Sequence, residues 1–141
     1  MKSLLIHLHL LFAGVWFGCV VTEALFERAL LGKGRQQELI LVGLHKRVDL
    51  IVEVPAFLAV LITGILLYPQ AGASWLLNAK IGVGLLAILT NVYCVRLVFL
   101  RATAAQLGIW KRFSKLDHRQ HLYGAVVLFA LLLTAAMGLA M

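Results

Sequence analysis

The chain has 141 residues, of which 62% are hydrophobic and 13% charged, against roughly 45–50% apolar and 25% charged in soluble domains. With a mean hydropathy of +0.97, this composition excludes an ordinary soluble enzyme and leaves no length for a second folded domain beside membrane spans. The net charge of +7 raises the question of nucleic acid, which the placement of the basic residues answers below.

Apolar runs long enough to cross a bilayer, about 20 residues each, occur four times. They lie near Leu4–Phe26, Leu44–Tyr68, Ala79–Leu100 and Leu122–Ala140, the last in a helix that begins at about residue 118. The expected fold is therefore all-α, a single-domain integral membrane four-helix bundle. The first run follows Lys2 and resembles a signal peptide, but it continues to Phe26 without an A-x-A site and reads as a retained span. Gly32 to Arg35, Pro69 to Gly72 and the basic stretch Lys111–Arg119 are the expected connections, and Gln36–Gly43 is expected to extend the second helix beyond the membrane surface.

Eleven of the thirteen basic residues flank the first and third connections, leaving only Lys2 and Lys80 at the opposite side. By the positive-inside rule the long connections are cytoplasmic and both termini lie outside. Basic residues at one face are a topology signal and a contact for anionic membrane lipid, so no nucleic-acid partner is expected. Cys19 and Cys94 sit singly in apolar runs and imply neither a disulfide framework nor a zinc ribbon.

Ionisable residues within spans are costly and mark the places where function is to be sought. In the first span His9, Ala13, Trp16, Val20, Glu23 and Glu27 fall on one helical stripe. His7 points about 200° away from His9, so the two do not suit one metal. Gly14-x-x-x-Gly18 is a helix-packing pattern, within the chain or between two copies as a homodimer. The second span carries His45, Asp49 and Glu53 on one face, followed by Pro55. Asp49 is adequately explained by neutralisation from His45 or Arg47; Glu53 lies deeper and must be paired, protonated or wet.

In the third span Lys80, Gly84, Ala87, Asn91 and Cys94 align. Lys80 either snorkels to the outer surface or binds an anionic group at the mouth of a cavity. The fourth helix opens with Asp117, His118 and His121, where Asp117 suits an N-cap. His45, His118 and His121 are expected at the cytoplasmic level of Glu23 and Glu27, as a haem ligand set, another metal site or a capping arrangement. Met137 and Met141 end the helix at the level of His9.

Histidines in a four-helix membrane bundle suit non-covalent haem b, one or two per chain. Covalent attachment is excluded by the lack of Cys-x-x-Cys-His. Copper also uses His and Met, and proton transfer through Glu53, Asp49 and the histidines is a third reading.

The residues also carry a resemblance. His9 with Trp16 and Phe17, Lys46-Arg47 with Pro55, and Trp75, Lys80 and Tyr93-Cys94-x-Arg96 resemble the HemJ-type protoporphyrinogen IX oxidases of the CopD-like membrane superfamily, over nearly the whole chain. That resemblance implies an oxidoreductase that converts protoporphyrinogen IX within the membrane, using haem b to pass electrons toward quinone. It implies His9 as haem ligand or catalytic histidine, with Trp16 beside the cofactor and Lys80 holding a tetrapyrrole carboxylate. The chain departs from the family at Asp117-His118-Arg119-Gln120-His121 and at Glu53, which suggests a second haem or a different electron transfer.

Competing readings are a di-haem b-type cytochrome without its own substrate, using His9 at one level and His45 with His118 or His121 at the other, and a CopD-like copper handler using His7, His9, Met137 and Met141. A small structural subunit whose histidines satisfy one another completes the set. The implied partners beyond lipid are a tetrapyrrole or other lipid-soluble reductant and quinone, in what reads as a bacterial inner membrane.

Overall fold

The computed structural model describes residues 1–141 and is helical almost throughout, with no strand. Helix α1 runs Lys2–Leu30, α2 Arg35–Val48, α3 Val54–Leu67, α4 Trp75–Gln106 and α5 Trp110–Leu139. A π-helical turn, Asp49–Glu53, joins α2 to α3, and a 3₁₀ turn, Tyr68–Gln70, closes α3, so Arg35–Gln70 is one 36-residue rod. Four helical rods are thus long and apolar enough to span a membrane, and the protein is an all-α, multi-pass membrane four-helix bundle. Even α1, with 29 residues, is about 44 Å long, more than the ~30 Å of a hydrocarbon core.

Each rod exceeds the apolar run that announced it. The basic stretch expected as a link, Lys111–Arg119, is instead the opening of α5, which starts at Trp110 after a turn at Gly108 (φ 71°). Asp117 accordingly sits inside the helix and caps nothing; its carboxylate is taken by Arg101 (2.6 Å). Hydropathy follows the lipid-facing part of a helix, whereas the backbone continues helically into the headgroup zone for as long as no breaker intervenes. The breakers are Gly32 and Gly34, both at positive φ (73° and 127°), a conformation open to glycine. At the start of α4, Ser74 caps the helix by accepting from the Leu77 N–H (3.1 Å).

The π turn has a local cause. Pro55 lacks an N–H and its ring crowds the carbonyl four residues back, so the helix widens by one residue before it. The Val54 N–H reaches the Asp49 carbonyl, a five-residue step, and both Asp49 and Glu53 are buried. Such turns commonly accompany functional sites.

Helix α4 packs along α5 and α1 along α3, while α1 meets α5 only narrowly. One apolar layer is built on Trp16, Ala56, Phe57, Ala87, Val127, Ala130 and Leu131, and a second on Val42, Leu97, Ala102, Phe113 and Leu116 with their neighbours. Of 27 buried residues, ten are polar or charged, whereas large apolar side chains cover the outside. That inversion suits lipid as the surrounding solvent. Gly14 and Gly18 have nothing within 4 Å of where a Cβ would stand. Their face therefore packs no helix of this chain and is open to lipid or to a second copy.

Trp16 is the central tie of the first layer. It is 1% exposed, lies against Phe57 (centroids 5.7 Å apart) and donates from Nε1 to Asn91 Oδ1 (3.1 Å). Trp16→Ala is expected to cost about 3 kcal/mol, the lower end for emptying a buried aromatic site, with Trp16→Phe losing less. Thermal unfolding of the two variants in detergent checks this order.

Candidate functional site

Between the two apolar layers lies a polar one, to which every rod contributes. From α1 come Glu23 and Glu27, one turn apart; from α2 and the π turn His45, Asp49 and Glu53; from α4 Asn91 and Arg101; from α5 Asp117, Gln120 and His121. The first-span and second-span stripes thus converge as their spacing predicts.

Arg101 is the anchor, with no exposed surface. Its Nη2 donates to Glu27 Oε1 (2.5 Å) and its Nη1 to Glu27 Oε2 (3.1 Å) and Asp117 Oδ1 (2.6 Å). Glu27 Oε1 also accepts from His45 Nδ1 (2.9 Å). His45 Nε2 faces Glu23 Oε2 at 3.2 Å and Asp49 Oδ1 at 3.8 Å, and the Gln120 amide nitrogen lies 3.2 Å from the same Nε2. One guanidinium and the His45 imidazole are thereby shared among Glu23, Glu27, Asp49 and Asp117, with the His121 ring 3.4 Å from Asp117 Oδ1 at the rim.

The balance is incomplete. Glu23 Oε1, both oxygens of Asp49, Asn91 Nδ2, Arg101 Nε and Gln120 Oε1 are buried without a hydrogen-bond partner. A cavity of about 240 Å³ borders Glu23, Asp49, Glu53, Asn91, Cys94 and Gln120. It opens between α1 and α5, where Ala24, Gly124 and Ala125 keep the walls low. A shallower hollow on the same side is lined by Ala24, Glu27, Arg28, Leu31 and His121.

The other sequence-derived candidates divide by level. His121 is half-exposed and spends Nδ1 on the Asp117 carbonyl (2.9 Å), while His118 is exposed and stands outside the cluster. His45 is therefore in the buried layer, whereas His118 and His121 lie at its exposed rim. Both nitrogens of His45 face carboxylates, and the i, i+3 spacing placed His118 and His121 on one face without separating the inner side of that face from its rim.

At the other level, His9 Nδ1 lies 2.9 Å from Thr63 Oγ1, with Gly64 under its ring. Thr63 donates its own hydroxyl proton to the Ala59 carbonyl (2.7 Å), so Oγ1 accepts from His9 Nδ1–H. That assigns the tautomer from the network and leaves Nε2 with a free lone pair. Lys80 extends to Gly138 of α5, where an added Cβ would come within 2.8 Å of its Nζ. His7 bonds instead to the Ser3 carbonyl (2.7 Å) on the exposed side, so it does not converge with His9.

Arg101 was missing from the sequence-derived candidates, although the stripe Gly84, Ala87, Asn91, Cys94 reaches it after seven more residues. Its position near the basic third connection gave it the appearance of a topology charge. Comparison of the chain with models of protein families, with curated proteins and with solved structures finds no match.

Arg101→Leu strands Glu27 and Asp117, and breaking a buried ion pair on one side costs about 3–5 kcal/mol. Arg101→Lys is expected to recover little, since a single ammonium cannot reproduce the two-pronged contact with Glu27. Unfolding midpoints of both variants measure the difference, with Arg35→Leu as comparison, an arginine that is itself largely exposed although its partner Glu38 is buried.

Proposed function

We propose that the protein is a haem-b-dependent membrane oxidoreductase acting on a lipid-soluble, acid-bearing reductant of the porphyrinogen type, in the manner of the HemJ-type oxidases it resembles. The observation that carries this reading is the pose of His9. An imidazole held through Nδ1–H by an oriented acceptor, with Nε2 unprotonated and unengaged, is the arrangement in which a histidine ligates a metal centre. Three residues would serve the group: His9 supplies the nitrogen, Gly64 lets the imidazole pack against the α3 backbone, and Trp16 lies two turns further along the same stripe.

Haem b would supply one-electron redox chemistry at this level. The chain's own residues do the rest. Thr63 fixes the imidazole, the apolar layer around Trp16 and Phe57 keeps water away, and Lys80, seated on Gly138, offers its ammonium to a propionate-type carboxylate of haem or substrate. Electrons would pass onward to a quinone in the surrounding lipid. The basic residues at the first and third connections favour an orientation with both termini outside, in a membrane that we take to be a bacterial inner membrane. The one-haem reading is favoured over the di-haem cytochrome because His118 and His121 lie at the exposed rim, outside the buried layer that holds His45. It is favoured over copper handling because His7 and His9 diverge.

Protein purified in detergent after expression with haem supply is expected to show a b-type spectrum with one haem per chain by pyridine haemochrome. His9→Ala should lose it, while Lys80→Ala should keep it and lose turnover of a carboxylated porphyrinogen. A wild-type protein without haem, or one whose haem survives His9→Ala, removes this reading.

A further inference from the structure

The acid-rich cluster does work that the His9 level does not require. Glu23, Glu27, Asp49 and Glu53 are each at most 7% exposed. Against them, and the partly buried Asp117, stand one buried guanidinium, the buried imidazole of His45 and, at the rim, the half-exposed imidazole of His121 beside Asp117 and Glu27. Buried carboxylates in such excess have to be protonated or bound to a further cation.

We propose that Glu23, His45 and Asp49 form a binding site for a divalent first-row transition metal ion, with Glu53 and cavity water beside it. Three features of the geometry lead there. The ligand-bearing atoms of Glu23, His45 and Asp49 lie within 4.8 Å of one another, and all three residues are buried. His45 Nε2 stands 3.2 Å from Glu23 Oε2 and 3.8 Å from Asp49 Oδ1, close to the roughly 3.3 Å edge of a tetrahedron with metal–ligand bonds of about 2.0–2.2 Å. Asp49, 1% exposed, has no hydrogen-bond partner for either carboxylate oxygen and borders the cavity, so its side chain is an acceptor with nothing to accept from.

The outer contacts complete the pattern. Glu27 takes the Nδ1–H of His45 and thereby leaves Nε2 unprotonated between the Gln120 amide (3.2 Å) and the carboxylates of Glu23 and Asp49, and the two electron-rich atoms Nε2 and Glu23 Oε2, 3.2 Å apart, need a proton or a metal ion between them. Carboxylate, histidine and metal in line is a recurring supporting arrangement, and Arg101 holds the carboxylate in place. Two carboxylates with one imidazole suit zinc, iron(II) or manganese(II) and lack the thioether and thiolate donors that draw copper(I). The opening between α1 and α5 gives the ion a path, and the cavity has space for the waters that complete its coordination.

The test uses the full chain in detergent, stripped with chelator and then equilibrated with zinc, manganese(II) or cobalt(II). After desalting, elemental analysis should find one ion per chain, and cobalt should give a visible d–d spectrum of a site containing nitrogen. Asp49→Asn, nearly isosteric, should abolish stoichiometric retention, while Glu27→Gln, acting through His45, should weaken affinity about 10–100-fold and shift the cobalt spectrum without abolishing it. Glu38→Gln should retain the ion. His9→Ala should retain it too, so loss of haem and loss of metal are separate results. If Asp49→Asn fails to fold, the wild-type cobalt spectrum and stoichiometry decide alone. No stoichiometric ion in the wild type, or equal retention in Asp49→Asn, overturns the proposal and leaves a cluster charged only by protons.

Discussion

A guanidinium without solvent contact in the middle of a membrane bundle is tolerable only where carboxylates are fixed around it, and Arg101 sets that condition for the whole molecule. Glu27 and Asp117 must come from α1 and α5 to meet it on α4, and His45 brings α2 to the same point through Glu27. In lipid the apolar faces of helices gain little by meeting one another, so packing and polar contacts have to set the arrangement. One residue therefore fixes the relative height of four helices, and the apolar layers on either side fill the space that it defines.

The π turn acts on the same constraint from the second rod. A regular helix through Asp49 and Glu53 would require an N–H at residue 55 that proline does not have. The wider turn removes that conflict and presents two further carboxylates to a layer already rich in acid. Local backbone chemistry at Pro55 is in this way tied to the charge of the site, and the charge in turn to what the site can hold.

Much of this could be read from the sequence, and the failures have physical reasons. The spans, the stripes of α1 and α2 and the meeting of Glu23, Glu27 and His45 follow from periodicity, because a helix places residues three and four apart on one face whatever surrounds it. Helix ends did not follow, since lipid-facing hydropathy stops before the backbone does. Asp117 has the chemistry of a cap and the position of an ion partner, and the difference depends on Arg101, sixteen residues earlier and on another helix. His118 and His121 share a face by spacing, but only packing decides which part of that face turns inward. The tautomer of His9 depends on Thr63, which no spacing in α1 reveals.

The two levels have opposite chemistry, and this bears on what the bundle can accomplish. His9 and Glu23 are fourteen residues apart on α1, or ~21 Å along the axis, too far for one small ligand to touch both. At one level stand a histidine and a lysine, His9 and Lys80, without a carboxylate side chain; at the other, carboxylates outnumber their cationic partners. Between them stands the Trp16–Asn91 hydrogen bond, whose asparagine also borders the inner cavity. A group bound at His9 and a cation bound at Glu23 would therefore share a structural element without sharing a ligand, and any influence of one on the other has to pass through the packing of α1 against α4.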